Sequence, residues 1–383
     1  MQPCYFRFFS VLFSILVSQA YANPSEPITP SNSNFRVYLG NHLQSLEDTE
    51  SKLIIDDIPA LLKLGEFKQT DNISLQFGYR DGAIWFVSPI SNKTNKSITN
   101  NLEVRYAPLD IVSVYLLNAN GTINSHTDLG DQIPYSNRHI KSRTYLAPLN
   151  FEANTNYKLV IRVQSESSLS APMYLSSIDA LYEHEHYINI AMGMFYGLAL
   201  GLFFYNLFLL IIIKDVVYFY YIVYVLGYTL FTASMDGLLF QFWPNSPNWE
   251  NSSLYLFPCI CGIFLSLFCR TVLQTNKESP ISDFLLRSFA ALYIFGSVIF
   301  IFIDIGIMAK LTAPVIAINA FCILGITIVR FLQGYKAASY FIIGMGSFCF
   351  GILSVAAGAM NLHSNFEITP LIFKTGAAIE MIM

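Results

Sequence analysis

Any chemistry in this sequence must come from a short list of residues. Asp236, Asp304, Lys374 and Glu380 are ionisable residues inside the long apolar runs of the second half, apart from the arginines at the runs' inner flanks. A carboxylate there is costly and is normally protonated or paired. Glu380 would sit deep, and a functional or helix-packing role is expected of it. Asp236 stands beside Gly237 near the outer end of its run, while Asp304 and Lys374 lie where a side chain can snorkel to the headgroups. Tyr205 and Asn206 share another run, and an Asn so placed usually hydrogen-bonds a packing partner. In the first half, Trp85, Tyr135 and Arg138 are types that stack on or hydrogen-bond a small ligand such as a sugar. Tyr135 and Arg138 fall in a turn with Gly130 and Pro134 and are expected at the surface. Trp85 and Phe86 lie in an apolar strand, so a core position competes with a binding role. His184 and His186 form an EHEH cluster that reads as a solvated linker, with metal binding or pH sensing as the alternative. Cys259-x-Cys261 lacks the spacing of a zinc or redox pair. No nucleophile elbow, phosphate loop or metal motif is present, so neither an enzyme nor a bound cofactor is expected.

The elements that must position these residues follow from charge and hydropathy. The chain has 383 residues, 54% apolar and 13% charged, with net charge −4. Soluble domains carry about 25% charge, and an acidic balance argues against nucleic acid. Residues 23–186 hold 13 of the 22 Lys and Arg and 18 of the 26 Asp and Glu, whereas residues 187–383 hold eight of each. An ordinary polar domain therefore precedes a membrane domain.

Residues 1–22 read as a secretory signal, with Arg7, an apolar core and the Ala20-Tyr21-Ala22 cleavage site. Residues 23–35, rich in Asn, Pro and Ser, form a flexible leader. The domain at 36–182 contains SLQFGY, AIWFVSPI, SITNNLEVRY, IVSVYLLN, RTYLAPL, YKLVIRVQS and APMYLSSI, separated by turn signals such as Asp81-Gly82 and Asn118 to Gly121. Such strands without helices between them predict an antiparallel β-sandwich. LIIDDIPALLKL at 53–64 fits a short helix or an edge segment. The domain has no Cys, so its core must hold without disulfides.

The region 183–383 contains apolar runs at 187–213, 216–240, 252–273, 288–308, 311–332, 337–360 and 370–383. Six reach the ~20 residues needed to span; the seventh is short of it, and a truncated last helix is expected. With the polar domain outside, Lys214, Arg270, Lys277, Arg287, Arg330 and Lys336 fall on inner flanks and only Lys310 on an outer one. This agrees with the positive-inside rule. Gly193, Gly197 and Gly201 make a small-residue stripe suited to close helix contact.

Several segments together resemble the bacterial seven-transmembrane receptors with diverse intracellular signalling modules, including their second type of extracellular domain. They are AIWFVSPISN, DIVSVYLLNANG, LGDQIPYSNR, YKLVIRVQSESSLSAPMYL, the glycine-spaced helix ending in Tyr205-Asn206, MDGLLFQFWP and KTGAAIEMIM. The resemblance implies a jelly-roll-like periplasmic sandwich binding carbohydrate or another small ligand, coupled to a seven-helix converter in the bacterial inner membrane. It also implies a cytoplasmic kinase or diguanylate cyclase, for which this sequence offers no motif, so the effector is expected to be missing. The partners expected are a small ligand, the lipid bilayer, and a second copy or a separate effector. A small-molecule transporter is the alternative function, and it would call for inverted repeats that are not visible.

Overall fold

A computed structural model describes residues 27–70, 74–299, 303, 305–359 and 368–383. The signal segment 1–22, residues 23–26 of the leader and Asp304 lie outside the described residues. The first half is an antiparallel β-sandwich. Its six-stranded sheet has the order β3 (Lys68–Gln69), β2 (Gln44–Asp48), β5 (Ala83–Asn92), β10 (Thr155–Gln164), β7 (Ile111–Asn118), β8 (Ile123–Leu129). Its four-stranded sheet has the order β1 (Arg36–Tyr38), β12 (Met173–Ser176), β6 (Ile98–Val104), β9 (Tyr145–Phe151). β4 (Gln76–Tyr79) and β11 (Ser168–Ser170) pair as a separate ribbon.

Alternation builds the core. On β5, Ile84 and Phe86 enter the space between the sheets with Leu116, Leu159, Leu102 and Leu149. Trp85 and Val87 face the other way and are covered by α1 (Ile58–Leu64) through Ile58, together with Leu117 and Val160. That second cover explains why β5 reads as an almost continuous apolar run: both of its faces are buried. Pro59 opens α1 and Gly65 ends it in a left-handed turn. The undecided segment is thus a helix roofing the outer sheet face.

The sandwich passes into the helices without a linker. Ser177 caps α2 (Ile178–Ile213), accepting from the Ala180 amide. There follow α3 (Val216–Met235), α4 (Pro247–Val272), α5 (Pro280–Ile299), α6 (Ile305–Leu332), α7 (Ala338–Ala359) and α8 (Ile368–Ile382). Helices α2 to α7 are long and apolar enough to cross a membrane. α8 has 15 residues. Its chief packing partner is α7, and it also touches α2.

Candidate functional site

The sandwich stands on one end of the bundle, and its contacts there are specific. Glu185, in the first turns of α2, takes a bidentate pair from Arg143 (Nε 3.1 Å, Nη2 2.6 Å), with Arg105 at 3.4 Å. Arg105 also reaches the fully buried Glu103 at 3.3 Å, and Arg36 reaches it at 3.7 Å. Burial raises the Glu103 carboxyl above its ordinary range despite the arginines. Tyr79 of β4 donates to the Ala309 carbonyl of α6 at 2.7 Å, Ser136 to Asn245 at 2.5 Å, and Asn251 of α4 to Asp131 at 3.2 Å. Gly237, just past α3, has φ +73°, and a Cβ there would stand 2.3 Å from the Arg143 carbonyl. Only glycine supplies both that conformation and that approach.

Arg138, expected at the surface, is buried at 6% exposure because the bundle covers it. Its guanidinium lies 4.7 Å from the Tyr145 ring, 4.9 Å from Tyr135 and 5.4 Å from Phe240 of the α3–α4 connection. It donates to the Ser142 carbonyl at 2.9 Å. Tyr135, half-buried, packs on Phe240 with ring centroids 5.9 Å apart. Nearby, Asp131 and Asp110 are both buried, and burial lifts Asp110 from 3.8 to about 6 and Asp131 well above its usual value. Trp85 is in the core under α1 at 1% exposure. The three ligand candidates from the sequence therefore do not converge on one cleft: two lie in the joint and the third on a different sheet face.

Within the bundle, polar contacts gather on α8. Lys374 reaches both carboxylate oxygens of Asp236, at 2.7 and 2.6 Å, and Tyr196 of α2 donates to Asp236 Oδ2 at 2.5 Å. Two turns further along α8, Glu380 accepts from the Tyr224 hydroxyl of α3, and the Met381 carbonyl accepts from Tyr221. Gly376 lets α8 press against α7; a Cβ there would stand 2.4 Å from the Ser347 carbonyl. Asp236 and Glu380, both singled out in the sequence, thus hold α8. Tyr205 and Asn206 do not join them. Tyr205 is 61% exposed, and the Asn206 amide donates within its own helix to Leu202 at 2.9 Å.

Sequence reasoning names Lys374 but not its pairing, and passes over Tyr196 and Tyr224. Snorkelling accounts for a lone Lys374, yet an opposite charge near the same membrane face is a usable signal, since charges in spans tend to pair. The tyrosines carry no such signal. The six basic residues Lys214, Arg270, Lys277, Arg287, Arg330 and Lys336 lie at or near the helix ends away from the sandwich. No group of His, Cys, Asp and Glu suited to a metal occurs among the described residues.

A β-sandwich set on a bundle of membrane-spanning helices, joined by ion pairs at one end, defines a multi-pass membrane protein with a folded domain outside the spans. The chain belongs to the 7TM diverse intracellular signalling family, whose model matches residues 188–383. Residues 40–177 match the model of that family's second extracellular domain. No curated protein matches the chain.

Proposed function

We propose that this chain is the sensing and membrane-crossing part of a bacterial inner-membrane receptor. The sandwich faces the periplasm and binds a small ligand, carbohydrate being the class the family resemblance suggests. Ligand binding changes how the sandwich sits on the outer helix ends, and α8 carries that change toward a cytoplasmic effector. The observation that supports this most is the Asp236–Lys374 pair. It ties α8 to the residue next to Gly237, which itself abuts the sandwich backbone at Arg143. A ligand moves such a system only through different affinity for its arrangements, and a joint made of ion pairs and packed rings has discrete arrangements to choose between.

Hydrogen exchange on the full chain in nanodiscs, run against a glycan panel, tests this. A cognate glycan should protect sandwich amides and alter exchange in the first turns of α8. Lys374→Met should keep the first effect and abolish the second. No protection by any glycan would remove the ligand class; protection without an α8 response would remove the coupling.

A further inference from the structure

We infer that the centre of the helix bundle is a second binding site, for a small neutral alcohol. A cavity of about 40 Å³ lies there, bordered by α3 to α8. By this measure a water needs ~10–15 Å³, so the space suits a molecule of about three or four heavy atoms. Pro258 lines it. Lacking an N–H, it leaves the Leu254 carbonyl without its usual helical bond and loosens α4 at this level.

The cavity wall carries two buried polar atoms, Tyr228 Oη and Asn319 Oδ1, to which no described residue offers a hydrogen bond. Tyr228 is 3% and Asn319 2% exposed. Asn319 spends its amide on Tyr293, at 3.4 Å, so its oxygen is the atom left over. Leaving such atoms buried and unmatched costs free energy that a bound donor or acceptor recovers. A hydroxyl can donate to Asn319 Oδ1 or accept from Tyr228 Oη. Much of the remaining wall is apolar, including Phe231, Phe348 and Phe373. Further waters would find few partners there, whereas a short alkyl chain gains from contact with these rings. The occupant would touch α3, α4, α6, α7 and α8 together and so bias the bundle independently of the sandwich.

The probe is 2-iodoethanol, an alcohol of four heavy atoms with a photolabile carbon–iodine bond, applied to the full chain in nanodiscs with labelled residues mapped by mass spectrometry. Label should appear around Tyr228 and Asn319. Competition by straight-chain alcohols should strengthen about fourfold per methylene as far as propanol, then weaken as the chain outgrows the cavity. Tyr228→Phe and Asn319→Leu should each reduce cavity labelling about fivefold. Partition into lipid predicts the opposite: label confined to outward residues such as Phe204 and Phe208, with competition climbing steadily to hexanol. That result, or a cavity that takes up water only and no label, would overturn the proposal. The size cut-off is read in the unaltered protein, so it stands even if a variant misfolds.

Discussion

α2 and α8 relate to the sandwich in opposite ways. α2 is its covalent continuation, beginning one residue after Ser177. Yet α2 is the least buried of the spanning helices, with 6% of its apolar window inside the protein. Its Tyr205 faces outward, and Asn206 bonds its own backbone. α8 is far away in sequence but is fixed by Lys374, Gly376 and Glu380 to α3 and α7. Chain continuity sets where α2 starts; contacts between side chains hold α8 in place. Under the proposed function coupling runs through α8, while α2 meets the joint through Glu185 and holds Asp236 through Tyr196.

The largest test of this contrast is a pair of glycine variants. Gly376→Val forces a side chain into the Ser347 carbonyl and should cost about 3 kcal/mol or more, seen as loss of folded protein after detergent extraction. Gly197→Val meets no atom within 4 Å and should change stability by less than about 0.5 kcal/mol.

Acidity should separate the joint from the rest of the molecule. Asp110 rises from 3.8 to about 6, and Asp131 rises as well, both chiefly through burial. A carboxyl whose folded value exceeds its unfolded one contributes fully below the unfolded value and loses that contribution as pH rises through the folded value. Through Asp110 alone the sandwich should therefore lose about 3 kcal/mol between pH 3 and pH 7. Thermal melts across that range should show the decline, and Asp110→Asn should flatten it.

Charge removal comes next. Lys374→Met leaves Asp236 at about one-seventh exposure without its cation and should cost about 2–3 kcal/mol. Exchanging the charges, with Asp236→Lys and Lys374→Asp together, should recover part of that in denaturation of the purified protein. The smallest effect belongs to α2: Tyr205→Phe and Asn206→Leu should each fall within about 0.5 kcal/mol.

The sequence made much of the fold legible where burial repeats with a fixed period. β7 spans Ile111–Asn118, the segment its β-branched and apolar pattern marks. β2 (QSLED) and β8 (INSHTDL) escape such reading because their residues are mostly polar, and β8 lies at the sheet edge. α2 starts well before its apolar run because its first turns pack on the sandwich rather than on lipid. The site was half legible. Asp236 and Glu380 stand out as charges in apolar runs, and burial of such charges demands partners. The partners themselves depend on contacts across 138 residues for Lys374 and 156 for Tyr224. Arg138 was misplaced for the same reason: Phe240, which covers it, belongs to the other domain.

The central claim is that the joint reaches α8 through the Asp236–Lys374 pair. Pulsed electron paramagnetic resonance between spin labels at Lys277 and Met383, in a background without native cysteines, tests it most directly. Arg143→Ala, or independently Gly237→Val, should shift the distance distribution by about 2 Å when Lys374 is present. The same changes should produce no shift in Lys374→Met. An equal shift in both backgrounds, or none in either, would contradict the account.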